Sequence, residues 1–205
     1  TITEEERDLM SIPSKLKESI TDSLFTNDFD VNSVDSKYLL NVAFAIFNKF
    51  GLMHEFKITA SKLFLFLYKL QNLYTEETWR HSVEVSSFLS FILIITRLDE
   101  QLSKSELISL IIASLCHDLG KTSCSTKSDV AFDVLYSKQP VLEGRSCEMI
   151  LKILSSSDTN ILDSLSNIDD TVDLIINLII STNYYQHHQL IHELKVLASN
   201  DGFTL

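Results

Sequence analysis

A chain of 205 residues with a formal net charge of −11 is long enough to bury one large core and has the wrong sign for a nucleic-acid surface. Only 4 glycines and 2 prolines accompany 45% hydrophobic residues, which excludes a turn-rich sandwich or a βαβ array and points to an all-helical protein. The 3 cysteines, Cys116, Cys124 and Cys147, form no CxxC pair and read as reduced thiols of an intracellular, cytosol-like compartment, organelles included. The longest apolar stretches, Phe88 to Ile95 and Leu107 to Cys116, are too short for a membrane span.

In chain order, Thr3 and Glu6 have capping-box spacing for a short first helix, and the polar stretch from Pro13 to Asp35 reads as loop or short helical turns. Leu39, Leu40, Ala43, Phe47 and Phe50 recur at helical spacing before Gly51, which closes that helix. Leu63, Phe66, Leu67 and Leu70 mark a second helix from Thr59 to Leu73, its aromatic stripe reading as core. The stretch Tyr74 to Val85 follows, then an apolar helix from Phe88 to Leu98. Ser103 and Glu106 form a second capping box opening a strongly apolar helix that Gly120 is expected to end. Beyond Lys121 the pattern predicts a polar loop, a helix from Val130 to Tyr136 and another from about Gln139 to Leu154. The Ser/Asp/Asn-rich segment 155–170 reads as a surface connection. Thr171 to Thr182 reads as an apolar helix continuing into Asn183 to His188, and Leu190 to Ala198 ends the pattern. The expectation is about eight helices, no sheet and a single domain over residues 1–205.

Chemistry concentrates at His117-Asp118, placed at the end of the most apolar helix. Imidazole suits zinc or iron, and an adjacent carboxylate can bridge to a harder ion such as Mg²⁺ or Mn²⁺. A buried polar pair at that place is costly unless a partner satisfies it. His81 is the upstream candidate, and it converges with the pair only if the two helices are neighbours. His188 and His192 also have one-face spacing for a metal but read as exposed. Asp169, Asp170 and Asp173 read as residues of a helix N-terminus, where carboxylates are favoured. Cys116 reads as a small core residue.

The order His81…His117-Asp118, with the tail Leu119-Gly120-Lys121, resembles the HD superfamily of metal-dependent phosphohydrolases. Phe29-Asp30-Val31, Leu135-Tyr136-Ser137-Lys138-Gln139-Pro140-Val141-Leu142-Glu143 and Ile180-Ser181-Thr182-Asn183-Tyr184-Tyr185-Gln186-His187 narrow the resemblance to the class I 3′,5′-cyclic nucleotide phosphodiesterases, from residue 29 to about 198.

The resemblance implies a compact all-α multi-helix bundle. It makes His81, His117 and Asp118 ligands of a tightly bound metal, zinc by type, with Asp118 reaching a second ion, magnesium or manganese. Glu143 and Thr182 fall at positions that support metal-bound water. The implied reaction is in-line displacement at phosphorus of a cyclic nucleotide by metal-activated water, with a proton delivered to the departing 3′-oxygen.

The chain also departs from the family pattern. The general-acid histidine position, four residues before His81, holds Glu77. Lys121 and Ser123 replace the second histidine and the glycine of H-D-x-x-H-x-G, Asn183 replaces the aspartate of T-D, and Gly144-Arg145-Ser146 stands where the family has N-H-H. The family's fourth metal ligand and purine-clamping residues are expected beyond position 205. The resemblance therefore implies a divergent or incomplete phosphodiesterase. The alternative is a catalytically degenerate domain serving as a structural or interaction subunit, with a protein partner or dimer covering the missing C-terminal region.

Overall fold

The computed structural model describes residues 23–119 and 141–199. The Thr3–Glu6 capping box, the 130–136 helix, Gly120, Lys121, Cys124 and residues 135–140 of the Leu-Tyr segment lie outside them. Two 3-10 turns, Val31–Ser33 and Ser36–Tyr38, precede the helices. These are α1 (Leu39–Lys49), α2 (Leu52–Glu55), α3 (Ala60–Gln71), α4 (Glu76–Ile95), α5 (Leu98–Gln101), α6 (Lys104–Cys116), α7 (Val141–Leu154), α8 (Ile168–Ser181) and α9 (Tyr184–Ala198). No strand occurs among the described residues.

The architecture follows from α6. Every residue from Leu107 to Cys116 except Leu110 is buried, and a helix apolar on all sides must be packed on all sides. Helices α4 and α8 flank it, α7 meets it and α8, and α1 packs on α4 and α3. Two of the polar residues inside this core, both on α6, return their hydroxyls to the backbone. Ser109 Oγ donates to Ser105 O at 2.8 Å and Ser114 Oγ to Ile111 O at 2.8 Å, so neither leaves an uncompensated dipole. On α4 the buried residues Ser82, Ser86 and Ser90 recur every fourth position, a narrow strip along one side of the helix. Ser87 and Ser90 likewise bond back to Val83 O and Ser86 O.

Several boundaries depart from the pattern of apolar residues. The Tyr74–Val85 stretch and the apolar run after it form one helix, α4, 20 residues long. Its start is fixed by Thr75 and Thr78, whose side chains cap each other's backbone amides, and its end by Arg97 in the left-handed region at φ 58°. Gly51 takes the same left-handed conformation, φ 68°, where the chain leaves α1, as its glycine predicts. Helix α6 ends at Cys116, two residues earlier than a final turn holding both His117 and Asp118 would require. Segment 155–170 is not simply a surface connection, because Thr159, Ile161 and Leu162 are buried within it. Helices α8 and α9 are separate, broken at Thr182 and Asn183.

Candidate metal centre

His81 is carried by the second turn of α4, and His117 caps the C-terminus of α6 with Asp118 directly after it. Because α4 packs on α6, residues 36 positions apart in sequence meet. One donor atom from each of His81, His117 and Asp118 lies within 4.8 Å of the other two. Asp118 faces both rings: Oδ1 is 3.3 Å from His117 Nε2 and Oδ2 is 3.9 Å from His81 Nε2. The rings stand edge-to-face with centroids 5.5 Å apart.

The imidazole of His117 is oriented by its other nitrogen, Nδ1, which lies 2.9 Å from Ser114 O. With Nδ1 as the donor, Nε2 keeps its lone pair for a ligand on the Asp118 side. The backbone around it is pinned from two sides. Tyr74 Oη donates to Leu115 O at 2.9 Å, and Ser146 Oγ of α7 donates to His117 O at 3.0 Å. Burial, and then the neighbouring Cys116 thiol, pushes the Tyr74 phenol well above the ordinary tyrosine value, so it remains a donor. A donor set of two imidazoles and one carboxylate, borne on packed helix ends with one ring pre-oriented, fits a divalent metal ion.

Glu143 is buried in the first turn of α7, on the same face as Ser146, and its Oε2 accepts from Asn183 Nδ2 at 3.2 Å. The last turn before α9 is thereby tied to the start of α7. Thr182 lies exposed at the C-cap of α8, and its hydroxyl donates to Ile179 O at 2.7 Å. Glu77 is exposed on α4, one turn before His81. Its neighbour Glu76 is drawn the other way, to the Ser36 hydroxyl and to Arg80 at 3.7 Å. His188 and His192 are exposed on α9, and Asp169 and Asp170 occupy the first turn of α8.

Three supports had no signature in the sequence. The Ser114 carbonyl and the Tyr74 hydroxyl act through backbone groups, and the Glu143–Asn183 contact joins residues 40 positions apart. Only the fold brings Tyr74 to Leu115 and Asn183 to Glu143.

Residues 77–204 match the family model of the 3′5′-cyclic nucleotide phosphodiesterases. The chain belongs to the cyclic nucleotide phosphodiesterase family. Over 183 residues it is 26% identical to the probable 3′,5′-cyclic phosphodiesterase pde-1 of Caenorhabditis elegans, covering 83% of this chain and 28% of that protein. Over 154 residues it is 29% identical to the cGMP-specific 3′,5′-cGMP phosphodiesterase 3 of Dictyostelium discoideum, covering 72% of this chain and 33% of that one. The phosphodiesterase domain of the Salpingoeca rosetta rhodopsin phosphodiesterase superposes with a TM-score of 0.78 at 27% identity, over 94% of this chain and 60% of that one. The chain therefore spans about a third or less of these curated relatives' length, and the all-α phosphodiesterase fold is shared across nearly all of it. No helix of the described residues is long and apolar enough to cross a membrane.

Proposed function

We propose that this chain forms the metal-holding part of a catalytic domain that hydrolyses a 3′,5′-cyclic nucleotide. The observation that carries the proposal is the convergence of His81, His117 and Asp118, with donor atoms within 4.8 Å of one another, on helices of the phosphodiesterase fold. In this reading the three side chains hold a zinc-class ion, and Asp118 also reaches a second ion, magnesium or manganese. Such ions activate water at neutral pH and offset the charge that develops on a phosphate in displacement. The chain itself supplies orientation: Ser114 O fixes the His117 ring, while Tyr74 and Ser146 hold the backbone from which His117 and Asp118 project. Glu143, buried and held by Asn183, stands as the acceptor that steadies water beside the ions, and Thr182 is the second candidate for that task.

A second reading is a phosphodiesterase-like domain that has lost catalysis and serves as a subunit in an assembly or as half of a dimer. One observation favours it. A carboxyl that donates a proton at neutral pH needs burial or a like charge beside it, and Glu77 is exposed.

The deciding experiment measures metal content by elemental analysis in the wild type and in His117→Ala, followed by hydrolysis of cyclic AMP and cyclic GMP. Near-stoichiometric zinc-class metal, lost in the variant, with turnover of either nucleotide, supports the enzyme. Metal retained without turnover selects the degenerate reading, and a folded, metal-free wild type refutes the centre itself.

A further inference from the structure

On the side of His81 away from Asp118 lies a cavity of about 340 Å³. Phe29, Val85, Phe88 and Phe91 supply its apolar wall, and His81 and Glu84 supply a polar edge. The size and the lining, mostly apolar with a few polar groups, are those of a small-molecule pocket, too small for a helix or a second copy of the chain.

The cavity is also preformed. Arg80 Nη1 donates to Val31 O at 2.8 Å and Val34 O at 2.7 Å, and Nη2 to Ser36 Oγ at 2.8 Å. That guanidinium clamps the turn next to Phe29 against α4. Across the gap, Phe88 and Phe91 stand one turn apart with ring centroids 6.3 Å apart, tilted at 42°. Phe88 is 62% exposed and stands at the rim of the cavity, open to solvent.

The chemistry of the edge selects the occupant. Glu84 Oε2 lies 3.8 Å from His81 Nδ1, so the edge offers a carboxylate acceptor and carries negative charge, in a chain whose net charge is −11. Anions are disfavoured there. A flat apolar body with an N–H at its rim is matched on both counts.

We propose that this cavity binds a neutral aromatic heterocycle of one or two rings that donates an N–H to Glu84. The His81 ring is the partition between this pocket and the metal centre, since its Nδ1 faces Glu84 and its Nε2 faces Asp118. Occupancy of one side therefore changes affinity on the other, and the coupling is reciprocal. Binding stands on the cavity alone, and only the coupling depends on the proposed metal centre.

The test uses the full chain with indole as the neutral probe and 1-naphthoate as an anion of similar shape, followed by saturation-transfer NMR and calorimetry. Saturable indole binding is expected in the wild type and in His117→Ala, with 1-naphthoate markedly weaker. Phe88→Ala, at an exposed position, should weaken indole roughly threefold to tenfold, and Val85→Trp should fill the cavity and abolish binding. Saturating indole should shift the apparent Mn²⁺ affinity of the wild type several-fold. Absence of saturable indole binding, equal binding of the anion, or binding unchanged in variants that keep the wild-type circular dichroism would overturn the pocket. An unchanged Mn²⁺ affinity in a protein that binds both ligands would overturn the coupling.

Discussion

Replacing Arg80 tests how the N-terminal turns are held to the helix that carries His81. The Arg80 side chain is only 19% exposed, and its guanidinium donates to two backbone carbonyls and one hydroxyl across the packing boundary. Arg80→Met keeps most of the aliphatic stem and removes the donors. A hydrogen bond to a charged group contributes about 1.5–3 kcal/mol when well buried and less near solvent. Two such bonds to Val31 O and Val34 O, in a partly exposed setting, give an expected loss of about 2–4 kcal/mol. With a urea slope of about 2 kcal/mol per molar, the midpoint of unfolding should fall by roughly 1–2 M. Glu76→Gln is the control, because Glu76 is 71% exposed and lies 3.7 Å from Arg80, an ion pair worth well under about 1 kcal/mol. If Arg80→Met unfolds within about 0.5 kcal/mol of the wild type while Glu76→Gln does the same, the clamp is not structural and the reasoning fails.

Burial in α6 predicts that Ile112→Ala, at a fully buried site, costs about 3–4 kcal/mol, whereas Leu194→Ala on exposed α9 stays within about 0.5 kcal/mol in the same urea titration. The raised Tyr74 phenol gives a pH effect with a definite sign. The unfolded state releases this proton first, so its contribution is complete below about pH 10 and is lost as the pH rises above it; Tyr74→Phe should remove that alkaline loss from the stability profile. Cys116 is fully buried and its thiol is pushed up by burial, so a thiol-specific disulfide reagent should label it only at the rate of unfolding. Arg97 sits at φ 58°, a conformation that costs a non-glycine residue about 1 kcal/mol, so Arg97→Gly should be neutral to slightly stabilising despite losing the exposed pair with Glu100.

The all-helical class was legible in the chain because glycine and proline are scarce and apolar residues recur at helical spacing. Local capping was legible too: Ser103 and Glu106 form the reciprocal cap their spacing predicts, since that motif needs only residues three apart. So was the candidate set His81, His117 and Asp118, because His-Asp after an apolar run with a histidine upstream is a pattern of residue types. What the sequence could not set were the contacts between helices. Ser/Asp/Asn content in segment 155–170 suggested surface, yet Ile161 and Leu162 turn inward because the bundle leaves them a place to bury. Periodicity divided α4 in two, whereas packing on α6 and α1 kept it whole. The residue pattern and the family resemblance singled out His81, His117 and Asp118. Only the packing of α4 on α6 brought them within 4.8 Å, because that distance depends on two helix axes lying side by side rather than on any local preference of the residues.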